Sequence, residues 1–371
     1  MGEHIRSLWR SLTEVGVDCA IVDVHGPRGP IDPDIQGELS DAIVRDCGAG
    51  INIYCINGDE IESVLGLLQD RTAMADGSYN IIYPAWELES FPEEWARRVD
   101  QFDEVWGESA FVQASIARSV HIPVIHLPLA AGIRRRGLFS RRYFDLSESA
   151  YLFFFAFDFL SYFERKNPMA VIEAFSEVVR SRPYADIRLV VKTNNGDQRP
   201  DMLARFNQAI APIRHQITVI DRTLSALEMR ALAWQIDCLV SLHRSEGYGF
   251  GLAEAMCLGK PVIATGYSGN MDYCTTQTAY PVPYRMIPVA EGDYPHWEGQ
   301  SWADPDMSAA ARQMMDLIDA PHLGVDTGRR AQAHMQTHFS YLACGLRYAD
   351  RIEDIRSMPP QSLKCSPASE S

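Results

Sequence analysis

Apolar residues in the first third of the chain recur with two alternating spacings. Residues 5–15 carry them at helical intervals, 19–24 and 51–56 are short apolar runs, 60–68 is again helical, and 79–83 is largely apolar. Such alternation predicts βα units, in which a mostly parallel sheet is covered by helices on both faces. The series continues with a helix near 92–101, a strand at 103–106, a helix opening at Ser109 and a strand within 123–129. Residues 132–148 are polar and rich in arginine and glycine, and read as a linker.

A second series starts with the apolar run 151–159. Asn167 then precedes Pro168, a capping side chain ahead of a residue preset for the first helical turn. Strands at 187–192 and 217–220 follow, then a helix opened by Ser225 and Glu228 as a capping box. A strand at 238–243, a glycine-rich loop, a helix to Leu258 and a strand at 261–265 complete a second doubly wound domain. Beyond Ala303 the pattern is helical, and the last dozen residues, rich in proline and serine, predict a disordered tail. The expected division is 1–147, 148–335, a C-terminal helix at 336–358 crossing back to the first domain, and a tail at 359–371.

Composition narrows the function. A length of 371 residues, 46% of them hydrophobic and 22% charged, suits two globular domains with real cores. The net charge is -15, and basic residues are dispersed apart from short runs such as 134–136 and 141–142, which argues against a nucleic-acid partner. The longest apolar runs fall far short of the roughly 20 residues of a membrane helix, and residues 1–20 lack the order of a signal peptide. The cytoplasm is the expected location. Eight cysteines without a CxxC pair read as structural thiols. Asp32 with Asp34, and Asp304 with Asp306, each flank a proline and read as turns, so neither a metal nor a cofactor is expected.

The chemistry concentrates in 241–261, where Gly247, Gly249 and Gly251 alternate between a strand end and a helix start. Without side chains there, backbone amides can approach a phosphate, and the helix adds partial positive charge at its N-terminus. A diphosphate fits, with Phe250 and Leu252 counted among the donor-binding candidates. Glu254, a turn into the helix, is placed to accept from ribose hydroxyls, and Glu246 faces what lies beyond the phosphates. Taken alone, such a loop is equally an ordinary strand-to-helix turn with two surface carboxylates.

Glu246 and Glu254 are separated by seven residues and followed by Ala255, Met256 and the run Gly-Lys-Pro-Val-Ile-Ala-Thr at 259–265. The segment resembles the signature of glycosyltransferase family 4, the group 1 glycosyl transferases. That resemblance implies an α/β GT-B fold, two Rossmann-like domains facing across a cleft. It also implies a retaining, metal-independent transfer of a hexose from a GDP- or UDP-linked sugar. Arg165 and Lys166 lie in a stretch, 157–168, similar to the family segment whose basic residues contact the donor diphosphate. Ser268, Gly269 and Asn270 match a turn that offers backbone amides to sugar hydroxyls or phosphate. Asp221 to Leu224 match the loop lining the nucleobase pocket. Glu246 is implied to orient the sugar, and Glu254 to anchor the ribose.

Residues 83–92 and 102–109 resemble a subset acting in bacterial surface-polysaccharide pathways. This makes Trp86 and Glu87 acceptor candidates, although core packing accounts for Trp86 equally well. Gly2, Glu3, His4 and Arg6 fall inside a family pattern that ordinarily follows a strand and a glycine-rich loop. Either the true start lies upstream, or the N-terminal sheet lacks a central strand and its site is incomplete; Gly2 is counted among the acceptor-side candidates. The partners implied are a nucleotide-sugar and a glycan or lipid-linked acceptor at the inner membrane face. A non-catalytic nucleotide-sugar-binding subunit is the alternative reading; a nucleotide-sugar epimerase fits less well.

Overall fold

The computed structural model describes residues 2–24, 26, 32–45, 50–68, 77–135 and 137–358. The chain forms two compact units, Met1–Ala130 with His338–Ser371, and Ala131–Thr337. The tail expected at 359–371 lies outside the described residues.

The first unit runs α1 (Gly2–Glu14), β1 (Ile21–Val22), α2 (Pro33–Leu39), β2 (Ile43–Val44), β3 (Ile51–Tyr54), α3 (Ile61–Leu68), β4 (Tyr79–Ile82), α4 (Glu93–Val99), β5 (Glu104–Gly107), α5 (Ala110–Ala117) and β6 (Val124–His126). Strands β3, β4, β5 and β6 form a parallel sheet in that order, and β1 pairs with β2 separately. A cavity of 350 Å³ is lined by Leu8 and Trp9 of α1, Ile21 of β1, Ile53 of β3 and Val64 of α3. It lies between β1 and β3, closed by α1 and α3.

The second unit contains β7 (Tyr151–Asp158), α6 (Phe163–Lys166), α7 (Pro168–Ser181), β8 (Ile187–Asn194), α8 (Pro200–Ile210), β9 (Ile217–Ile220), α9 (Ala226–Gln235), β10 (Cys238–Ser241), α10 (Phe250–Cys257), β11 (Val262–Thr265), β12 (Tyr280–Val282), β13 (Tyr284–Pro288), β14 (Ser301–Pro305), α11 (Met307–Asp319) and α12 (Pro321–His338). Six parallel strands lie in the order β12-β11-β10-β7-β8-β9. β7 is central because nearly every residue in it is apolar, so both faces can be covered, and its aromatic rings pack with Phe159, Phe163, Phe175 and Phe206. Chain order reverses between β7 and β10, and open parallel sheets bind ligands at the carboxyl ends of strands at such a reversal.

Two features depart from the sequence reading. Residues 132–148, read as a linker, fold with the second unit: Arg141 donates to Gln235 O at 3.1 Å and Asp237 Oδ2 at 2.9 Å. β13 and β14 form an antiparallel hairpin outside the main sheet, where no strand pair was expected. Helix α13 (Tyr341–Arg356) belongs to the first unit, packed along α1. A methyl group on Gly345 would stand 2.1 Å from Ser11 O, so the two helices touch backbone to backbone.

Candidate active site

The site is built where β7 and β10 end. After β7 the chain makes the single turn α6, then breaks at Asn167, whose φ of 52° is left-handed, before Pro168 opens α7. A residue preceding proline is excluded from helical geometry by the proline ring, and asparagine tolerates the left-handed region better than most. The Asn167 amide also donates to Leu242 O at 2.9 Å, tying the break to the end of β10. This kink holds Arg165 and Lys166 against the loop after β10.

There they meet Glu246. Arg165 Nη1 donates to Glu246 Oε2 and to Ser245 O, both at 3.1 Å, and Lys166 Nζ donates to Glu246 Oε1 at 2.5 Å. Burial opposes ionisation of Glu246, but the charges of Lys166 and Arg165 outweigh it and hold the carboxyl at about 2. The carboxylate and Arg165 are each only 6% exposed, which places this three-charge cluster in a low-dielectric setting.

Behind Glu246 lies a buried relay. Ser241 Oγ and His243 Nδ1 are 3.0 Å apart, His243 Nε2 and Asn270 Oδ1 are 3.0 Å apart, and Asn270 donates to Thr265 O at 3.0 Å. Burial lowers the pKa of His243, which favours its neutral form and suits hydrogen bonding at both ring nitrogens. Ser268, at φ 73°, accepts from Glu246 N at 2.8 Å, and Gly269 N donates to Glu246 O at 2.9 Å. Among the matched turn residues, then, Gly269 spends its N–H on fixing the Glu246 backbone, and Asn270 braces the relay.

The glycines divide their work. Gly249, at φ 89°, needs the left-handed region to start α10, and its carbonyl and that of Tyr248 accept from the buried Tyr273 hydroxyl at 2.9 and 2.5 Å. Gly251 lies exposed in the first turn with open space where a Cβ would be, leaving that helix end uncovered. Gly247 is buried beside Glu246; Phe250 and Leu252 flank the first turn, with Leu252 buried. Glu254 is half-buried one turn into α10, and Leu224 is half-buried in the loop after β9, where Asp221 accepts from Thr193 Oγ1 at 2.9 Å.

The first unit corrects one expectation. Trp86 is 1% exposed, stacks edge-on with Phe91 and Trp95, and donates to Ser90 O at 3.1 Å, so it is a core residue with no face for a sugar. Glu87 beside it is half-buried, and Gly2 is exposed in the first turn of α1. The aspartates near prolines also have structural tasks: Asp306 caps α11 by accepting from Ala309 N at 2.9 Å, and Asp304 pairs with Arg285 at 3.0 Å. Asp32 accepts weakly from Ile35 N; the Asp34 side chain lies outside the described residues. Among the described residues no three His, Cys, Asp or Glu side chains gather as a metal site. No described helix is long and apolar enough to cross a membrane.

The fold, with a parallel sheet in each unit, is similar to that of solved glycosyltransferases. A glycosyltransferase from Rickettsia africae matches with a TM-score of 0.64 at 12% identity, over 95% of both chains. The fold is GT-B. Sucrose-phosphate synthase from Thermosynechococcus elongatus shares this GT-B fold at TM-score 0.62 and 13% identity, covering 87% of this chain and 76% of the synthase. Anabaena HepE, solved with UDP and glucose, matches at 0.62 and 12%, over 82% and 78%. Residues 153–288 match the model of the family described as glycosyl transferases group 1. That segment holds Arg165, Lys166, Glu246, Glu254 and Asn270. A search of curated protein sequences finds no match.

Sequence reasoning missed His243, Tyr273 and Ser245, each of which supports Glu246 or the glycine loop. His243 carried a signal, a polar residue at the end of an otherwise apolar strand. Ser245 acts through its carbonyl and carried none.

Proposed function

We propose that this protein is a retaining, metal-independent hexosyltransferase that moves sugar from a UDP- or GDP-linked donor to a glycan or lipid-linked acceptor. Its proposed setting is polysaccharide biosynthesis at the cytoplasmic face of the membrane. The observation that carries the reading is the clamp of Arg165 and Lys166 on Glu246 at the β7–β10 reversal, beside the uncovered N-terminus of α10. Two adjacent cations suit a dianion, and a dianionic diphosphate would replace one carboxylate between them. Glu246, released from that pairing, would accept from hydroxyls of the transferred sugar.

In the proposed reaction the bond between the anomeric carbon and the diphosphate oxygen breaks as the acceptor oxygen bonds that carbon from the same face. The acceptor proton passes to a phosphate oxygen. Arg165, Lys166 and the α10 amides stabilise charge on the departing diphosphate, and Glu246 supports positive charge on the sugar. Glu254 holds the ribose. Titration with UDP and GDP, followed by incubation with the matching nucleotide-sugars and glycan acceptors, tests the reading. Diphosphate binding with acceptor-dependent release of nucleoside diphosphate is expected; a protein that binds neither diphosphate would refute it.

A further inference from the structure

We infer that the β13–β14 segment braces Arg165 of the proposed diphosphate site, with Tyr294 as its positioning residue. This rests on the donor-binding reading of Arg165 and Lys166. The hairpin stands outside the parallel sheet, yet it is tied directly to the site: Ala303 N donates to Arg244 O at 3.0 Å, and Arg244 N donates to Arg165 O at 2.8 Å. Two rings from the segment lie under two guanidinium groups. Arg165 Cζ is 5.9 Å from the Tyr294 ring centre, and Arg244 Cζ is 5.5 Å from that of Trp302. Tyr294 and Trp302 are themselves 6.4 Å apart, and both are buried.

Tyr294 also reaches the residue that aims α6. Its ring centre is 4.6 Å from that of Tyr162, which has φ 58° and ψ 91°, an unusual backbone for an aromatic residue. Strained conformations persist only where their surroundings over-determine them. Tyr294 therefore contacts both the strained start of the turn and the guanidinium that the turn presents. An aromatic face holds a cation without cancelling its charge, whereas the Glu246 carboxylate cancels it. A long side chain fixed in advance loses less freedom when an anion arrives. The hairpin thus keeps Arg165 ordered without consuming its charge, so that once a diphosphate displaces Glu246 the charge serves the phosphate farthest from the nucleoside.

The test is titration of the full-length protein with UDP and UMP, and with GDP and GMP, for wild type, Tyr294→Phe and Tyr294→Leu. Tyr294→Phe keeps the ring and is expected to keep the diphosphate-over-monophosphate preference within about twofold. Tyr294→Leu is expected to weaken diphosphate binding about tenfold with monophosphate binding little changed, whatever melting temperature the lost packing costs. Turnover of Tyr294→Leu should fall in kcat, with acceptor KM unchanged. Tyr294→Met and Tyr294→Ile give two further fillings of the space, so the outcome does not hang on one variant folding. A Leu, Met or Ile variant with an unaltered preference, or equal loss of mono- and diphosphate binding, overturns the brace. Failure of the wild type to bind either diphosphate instead overturns the donor-binding reading and the brace with it.

Discussion

At the scale of single residues, Glu246 does two things that pull in different directions. It is the proposed sugar ligand, and it pairs with the cations Arg165 and Lys166. Glu246→Ala therefore removes more than a functional group, because stripping one partner from a buried pair typically costs about 3–5 kcal/mol. Glu246→Gln keeps the shape and is the cleaner test: transfer is expected to fall at least about a hundredfold in steady-state assays. The same carboxyl sets a pH dependence. Its folded-state pKa of about 2 lies below the ordinary 4.5, so its stabilising effect is complete above about 4.5 and is lost as pH falls towards 2. Acid titration of stability should show that loss in the wild type and a shallower one in Glu246→Gln. Asn167 is the second sensitive residue. Asn167→Ala forfeits both the left-handed backbone preference and the bond to Leu242 O, with an expected loss of about 1–3 kcal/mol by chemical denaturation.

Among elements, two helix contacts are set by glycine. A Cβ at Gly328 of α12 would meet Gly259 O at 2.0 Å, and one at Gly345 of α13 would meet Ser11 O at 2.1 Å. Neither oxygen can swing away as a side-chain tip can. Gly328→Ala should therefore destabilise the second unit, and Gly345→Ala the first, each by about 1–3 kcal/mol in denaturant melts. The glycine loop behaves differently, since only Gly249 is held by its own backbone angle and by the Tyr273 hydroxyl. Gly251 has open space around it, so Gly251→Ala should leave stability nearly unchanged while weakening diphosphate binding. Matched calorimetric and thermal measurements separate those two effects.

For the whole molecule, the division into units does not follow chain order. The last described helix, α13, completes the first unit: Tyr348 donates to Pro128 O at 2.6 Å, and Arg351 pairs with the buried Glu104. A chain ending at residue 337 should consequently lose cooperative melting and hydrogen-exchange protection in the first unit. Nucleotide binding by the second unit should survive, because β7 to α12 supply its core and its cation clamp without α13.

The sequence by itself determined the βα alternation, the second doubly wound domain and the segment carrying Glu246 and Glu254, because hydrophobic period and glycine placement are local properties of a chain. It also marked Arg165 and Lys166, about eighty residues before Glu246, but only through resemblance to a family segment. The direct pairing of those cations with Glu246 was decided by the strand order, which sets β7 beside β10. Tertiary packing likewise decided that Trp86 is core: an aromatic residue after a strand end reads the same in sequence whether Phe91 and Trp95 cover it or water does. The hairpin that places Tyr294 under Arg165 had no local signature at all, since its role comes from the surface on which it lands.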